Sequence, residues 1–219
     1  MKRPELKENG IRPLYDARFL KLYGLEYDST PHGYLEVSRR SSEELVALKS
    51  DEEMRSALPD AVTCIVILKI KGQEPKLCLQ DEFRYPAGRF LLSPPAGLID
   101  RADRESPDPM VTAARREIRE EIGLELKPTD RVFVAAPFFY SSPGMTDEAN
   151  GMVCAVAELD EPPCLNSDGA EGIECFQNYY LIDRAEALEM IRSCRDRSGA
   201  FFSVYTWCAL AYFVSGAWE

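Results

Sequence analysis

The stretch Arg116-Glu117-Ile118-Arg119-Glu120-Glu121-Ile122-Gly123-Leu124 decides how this chain is read. Wound into a helix, Glu117 and Glu121 stand four residues apart and Glu120 three from Glu117, so the three carboxylates share an arc of roughly 100°. Val111, Ala114, Ile118 and Ile122 recur at helical spacing beside that arc, which gives the helix one side to pack on a core. Asp108-Pro109 predicts its start, with Asp at the N-cap and Pro in the first helical position, and Gly123 predicts its end. Like charges on one face repel by roughly a few tenths of a kcal/mol per exposed pair, and by more in a cleft. A hard dication such as Mg2+ relieves that repulsion by taking the oxygens as ligands. On the helix alone two readings stand level: a metal-binding edge, or a solvated face on which Arg115, Arg116 and Arg119 answer the acids.

Outward from the helix, the chain reads as strands with helices packed on them. Upstream, Ala61 to Lys71 is a β-branched run suited to a buried strand, closed by a Gly72-Gln73 turn. Leu77 to Phe83 and Arg89 to Leu92 continue a sheet around Pro86-Ala87-Gly88, and Pro94-Pro95-Ala96-Gly97 leads towards the helix. Downstream, Arg131 to Tyr140 and Gly151 to Leu159 flank the loop from Ser141 to Asn150, and Cys175 to Leu181 is a further strand. Asp183 to Cys194 and Ala200 to Val214 predict two helices. The class is α+β, an α/β/α sandwich on a mixed sheet. Residues 1–57 read as a separate extension: strands Phe19 to Tyr27 and Gly33 to Arg39 around a turn at 28–32, then a short helix from Ser41 to Ser56 capped by Ser41 or Ser42. Residues 58–219 form the main domain. An isolated hairpin is marginal in water, so the extension is expected to need a partner sheet or subunit.

Composition narrows the function. A net charge of −11 over 219 residues leaves no basic stripe for a nucleic-acid backbone, and RNA-directed chemistry is disfavoured with it. A small phosphorylated ligand stays open, because a bound metal reverses the local field. The seven scattered cysteines form no CxxC pair, and with no signal peptide in view they predict reduced thiols in a cytoplasm. The apolar run from Phe201 to Val214 is too short and too mixed for a membrane span. His32 is the only histidine, which argues against a histidine base.

Gly97 followed by REIREEIGL resembles the signature of the Nudix hydrolases, G-x5-E-x7-R-E-U-x-E-E-x-G-U with U aliphatic, and the last nine positions match throughout. Three further stretches resemble the ADP-ribose diphosphatase branch: Glu82-Phe83-Arg84-Tyr85-Pro86, Pro95-Ala96-Gly97-Leu98-Ile99-Asp100, and Ser142-Pro143-Gly144-Met145-Thr146-Asp147-Glu148. Val37-Ser38-Arg39 and the helix through Tyr205 to Tyr212 fit the same branch. The chain departs from the pattern in two places. Eighteen residues separate Gly97 from Arg116, five more than the pattern allows, so the early Glu becomes Asp108 when counted back from Arg116 and Asp103 when counted forward from Gly97. Asp108 is preferred, because Asp-Pro starts the helix. Ser93-Pro94 also stands where a Glu-aliphatic pair is common.

The resemblance implies a Nudix fold and Mg2+-dependent hydrolysis of ADP-ribose or a related nucleoside diphosphate sugar, releasing AMP and ribose 5-phosphate. It implies two or three Mg2+ ions per site, with Mn2+ as the alternative. Glu117 and Glu121 would bind metal, Glu120 would be a further or shared ligand, and the Ala96 carbonyl would complete the shell. The cations would withdraw charge from the diphosphate and lower the pKa of an attacking water. Glu148, on a loop that can close over the site, would be the base, its rival reading being an exposed acid in a polar loop. Arg116 would position the acids, and Arg84 would fork onto phosphate or ribose. Leu98 of the turn, with Tyr27, Tyr34 and Arg39 of the extension, would bind substrate across a homodimer interface. For the tyrosines the competing reading is sheet packing. Neither a nucleic acid nor a membrane is an expected partner. Other nucleotide sugars, dinucleotides, and a non-catalytic ADP-ribose sensor are the alternatives.

Overall fold

Three strands open the chain: β1 (Leu6–Asp16), β2 (Lys21–Tyr27) and β3 (Tyr34–Ser38), antiparallel in that order. The computed structural model describes residues 3–29, 32–170 and 172–219. The chain divides into two compact units, Met1–Asp60 with Phe138–Asn150, and Ala61–Pro137 with Gly151–Glu219. The sequence puts the boundary after residue 57 and leaves 138–150 with the larger part.

In the N-terminal unit the expected hairpin is β2 and β3, each slightly shorter than read. Of the turn expected over 28–32, Thr30 and Pro31 lie outside the described residues. Strand β1 was not legible. It carries Pro13, bends at Asn9 with a φ of 57°, and loses register with β2 twice, so no alternation survives in its sequence. Tyr23, Leu25 and Leu45 form a small core with Leu6, Ile11 and Tyr27 against it. The helix expected from Ser41 to Ser56 is a correction. The segment is a 3-10 turn at Val46–Leu48 and then α1 (Asp51–Arg55). Ser50 is the cap: its hydroxyl accepts from Glu53 N at 3.3 Å and the Glu53 carboxylate accepts from Ser50 N at 2.7 Å. Ser41 and Ser42 instead donate to Glu44 and Glu43.

The second unit follows the predicted order: β4 (Ala61–Ile70), β5 (Lys76–Arg84), β6 (Arg89–Ser93), β7 (Ala96–Leu98), α2 (Arg101–Arg104), α3 (Pro109–Ile122), β8 (Arg131–Tyr140), β9 (Ala149–Leu159), β10 (Phe176–Ile182), α4 (Arg184–Ser193) and α5 (Val204–Ser215). Among the described residues these strands make a mixed sheet in the order β10-β5-β4-β9-β8, with β6 paired to β5 and β7 to β4. Strand β4 is buried on both faces, which is why it reads as one apolar run. Ile65 and Ile67 pack with Leu77 and Leu79 against Ala187 and Met190 of α4 and Leu210 and Phe213 of α5. On the other face the Cys64 thiol reaches the Ala114 carbonyl of α3 at 3.8 Å. This layering is the expected sandwich.

Helix α3 spans the predicted residues and ends on Gly123, whose φ of 66° is left-handed. The short α2 was unforeseen. Ser203 caps α5, and Thr206 Oγ1 inside that helix donates to the Leu92 carbonyl at 2.7 Å, so the polar residues of the apolar run are satisfied. Among the described residues no helix is long and apolar enough to cross a membrane.

Candidate active site

Strand β7 lies against β4, with Ala96 opposite Thr63 and Gly97 opposite Val62, and the Pro95 carbonyl accepts from Cys64 N at 2.7 Å. Those bonds fix the turn into which α3 projects its acids. A Cβ on Gly97 would fall inside the Glu117 carboxylate, so glycine lets that carboxylate sit where it does, by close approach and not by a left-handed backbone.

The acids of α3 are sorted by burial. Glu121 is 1% exposed, and its Oε2 accepts from Gln80 Nε2 at 2.5 Å and from Ala96 N at 3.1 Å. Burial, then the neighbouring Glu82 and Glu117, push its pKa well above the carboxylate range. Glu117 is 6% exposed and is pushed up to about 7 chiefly by burial, with Arg116 pulling the other way. Glu120 is half-buried. Arg116 Nη1 donates to Glu117 Oε1 at 2.7 Å and to Glu120 Oε2 at 3.0 Å, while Nη2 reaches the Leu98 carbonyl at 2.8 Å and Asp103 Oδ2 at 2.9 Å. Arg116 therefore orients three carboxylates and ties them to the turn.

Of the two acids that could stand for the early Glu of the pattern, Asp103 and not Asp108 bonds Arg116. It is 4% exposed, and besides Arg116 its Oδ2 accepts from Asp100 N at 2.9 Å. Asp108 does stand at the N-cap of α3, but its side chain is exposed and makes no capping bond. The helix-start reading holds for the position of Asp108, while the partner of Arg116 is Asp103.

Two side chains that the sequence reading did not assign join this group. Glu82 on β5 is 8% exposed and is pushed up to about 7, first by burial and against the pull of Arg84, whose Nη2 lies 2.6 Å from its Oε2. Arg84, expected on substrate, is thus held by Glu82 in this structure. Glu174 precedes β10 and is fixed by its neighbours: the Ile173 carbonyl accepts from Tyr85 OH at 2.9 Å and the Cys175 carbonyl from Phe83 N at 2.9 Å. Its charge adds, less than burial does, to the rise in the pKa of Glu82, Glu117 and Glu121, although its own side chain is exposed. The segment leading to it lies along the end of α3, where Asn166 N donates to the Ile122 carbonyl at 3.2 Å and Gly169 backs onto the Glu120 backbone. No local pattern marks Glu174; its position follows from the pairing of Phe176 with Glu82.

The remaining candidates belong to the N-terminal unit. Thr146 bridges to Val37 of β3, Tyr34 OH donates to the Gly144 carbonyl at 2.7 Å, and Arg39 Nε donates to Glu148 Oε2 at 2.8 Å. Tyr34, Arg39 and Glu148 are thereby brought together. Beneath them Arg40 pairs with Asp60 at 2.7 Å and with Asp147 at 3.2 Å, a buried network that fixes the loop. Tyr27 packs on the small core instead.

Among the described residues no three acidic, histidine or cysteine side chains converge on one point at ligating distance; Glu117 and Glu120 are turned to Arg116, and Glu121 to Gln80 and Ala96 N. The donor set still suits a hard cation. It consists of carboxylates and a carbonyl, with neither thiolate nor imidazole, and its buried carboxyl groups outnumber the guanidiniums of Arg84 and Arg116 that face them.

The model of the NUDIX domain matches residues 57–194, more than half of the chain. An uncharacterized Nudix hydrolase of Schizosaccharomyces pombe is 34% identical over 121 residues, 53% of this chain and 54% of that protein. The ADP-ribose pyrophosphatase of Saccharomyces cerevisiae is 30% identical over 122 residues, 53% of this chain and 49% of that protein. A chloroplastic Nudix hydrolase of Arabidopsis thaliana is 34% identical over 118 residues, 51% of this chain and 37% of that protein. The chain spans about half the length, or less, of these curated relatives.

Proposed function

The chain belongs to the Nudix hydrolases, and from that premise we propose that it cleaves the diphosphate bond of ADP-ribose or a related nucleoside diphosphate sugar, giving AMP and ribose 5-phosphate in the first case. Enzymes of this family use divalent cations and act on small nucleotide-containing substrates. The observation that carries the reading is the seating of Glu117 and Glu121, both buried, against the Gly97 turn. Two buried carboxylates that close are costly unless something positive is to be held there.

Glu117, Glu121 and the Ala96 carbonyl would hold Mg2+, with Glu120 at the margin. When bound, the cation supplies charge withdrawal from the diphosphate and activation of water. Arg116 keeps Glu117 and Glu120 in place, and Arg84 binds a phosphate oxygen. For the water-orienting base there are two candidates. Glu174 is favoured by its place in the field of Glu117 and Glu121. Glu148, whose charge Arg39 answers, is assigned to substrate positioning with Arg39 and Tyr34. Glu174→Gln is expected to lower kcat by about 10²-fold or more with KM little changed, and Glu148→Gln to act mainly on KM. The reverse split restores Glu148 as base.

Homodimerisation through the N-terminal sheet fits its exposed apolar side chains, among them Tyr15, Phe19, Tyr34 and Leu35, each at least half exposed. Sedimentation at micromolar concentration tests it, a monomer being the contrary result.

The decisive assay compares ADP-ribose turnover with Mg2+ before and after Glu117→Gln, alongside a panel of nucleotide sugars and dinucleotides. Loss of turnover in the variant is expected. Undiminished turnover overturns the site, preference for another substrate moves the specificity, and metal-free binding without hydrolysis favours a sensor.

A further inference from the structure

Within the sheet, Gln80, Glu82 and Arg84 alternate along β5 and so stand on one face. That face is turned to α3, since Gln80 Nε2 donates to Glu121. Gln80 is fully buried, yet among the described residues its Oε1 has no hydrogen-bond partner. An unmet acceptor of this kind is costly, and a hydrated dication brings donors with it. Glu82 is almost as buried, and among the described residues the guanidinium of Arg84 lies against its Oε2. Glu82 is one alternation along β5 from Gln80, so it is on the face whose Gln80 bonds Glu121. A carboxylate set there merely to anchor Arg84 would gain nothing from lying beside a second buried acid.

Resting on the function proposed above, we infer that Glu82 is a further carboxylate of the cation site, facing Glu121 from the sheet, and that cation binding releases Arg84 from it. Arg84 then serves the phosphates only when the cation is in place. Neutralising Glu82 removes a cation ligand and frees Arg84 at once, so the variant has two opposite consequences: weaker cation binding, and stronger anion binding without cation. A purely structural Glu82 gives neither.

The test titrates the full chain with Mn2+, read by the electron-spin signal of free ion, and separately with inorganic pyrophosphate in chelator, read by calorimetry. Glu82→Gln is compared with wild type, Glu82→Asp and Glu121→Gln, all with matched unfolding midpoints. Glu82→Gln is expected to weaken Mn2+ binding about tenfold or more and to tighten metal-free pyrophosphate binding, with Glu82→Asp between it and wild type in Mn2+ affinity. Mn2+ affinity within about twofold of wild type in Glu82→Gln, while Glu121→Gln loses binding, overturns the role of Glu82 alone. Unaltered Mn2+ binding in both variants overturns the cation site itself. Weakened Mn2+ binding without gain in pyrophosphate affinity overturns the release of Arg84.

Discussion

At the residue scale the site hangs on side chains whose neighbours leave them no freedom. Gly97→Ala pushes a methyl into the Glu117 carboxylate. It is expected to displace Glu117, lower kcat/KM by about 10²-fold or more, and cost about 1–3 kcal/mol in urea unfolding. Turnover close to wild type would show that Glu117 need not sit there. Arg116 gives a sharper test of which acid belongs to the motif. Asp103→Asn is expected to destabilise by about 1–3 kcal/mol, because Arg116 loses a buried charged partner, while Asp108→Asn stays within about 0.5 kcal/mol. The acids of the helix were legible from spacing alone. Asp103, Glu82 and Glu174 were not, since each is defined by what it meets across the fold.

At the scale of elements, legibility followed local chemistry. Helix α3 was readable end to end because Asp108-Pro109 opens it, Gly123 closes it, and its apolar stripe keeps the helical period. Strand β1 was unreadable because its bends break the alternation. The Ser41 to Ser56 segment was misread for a different reason. Several serines precede acids there, and only Ser50 has Glu53 placed to return the bond. Ser50→Ala is expected to cost the N-terminal unit about 1 kcal/mol, and Ser41→Ala at most about 0.5 kcal/mol, in equilibrium unfolding. Equal losses would deny α1 its capping box.

At the scale of the whole molecule, two compact units and an excess of 37 acids over 26 basic residues make charge the main variable. In the N-terminal unit Glu36 is pushed up to about 7, first by burial and then by Asp147, against the pull of Arg40. Its folded form keeps the proton that the unfolded chain releases near the ordinary value. The contribution is therefore fully present below pH 4.5 and is lost as the pH rises through about 7. Glu36→Gln is expected to match wild type at about pH 4 and to exceed it in unfolding free energy by on the order of 2 kcal/mol at about pH 8. A constant difference across that range would contradict the shift.

The central claim is that α3, the Gly97 turn and the acids around them make a diphosphate-cleaving site. Following ADP-ribose and Mg2+ with the protein by phosphorus NMR tests this most directly. The account predicts that the diphosphate resonances give way to two phosphomonoester resonances, those of AMP and ribose 5-phosphate, and that Glu117→Gln abolishes the change. Diphosphate resonances that persist with wild-type protein, or vanish equally fast with the variant, would contradict it.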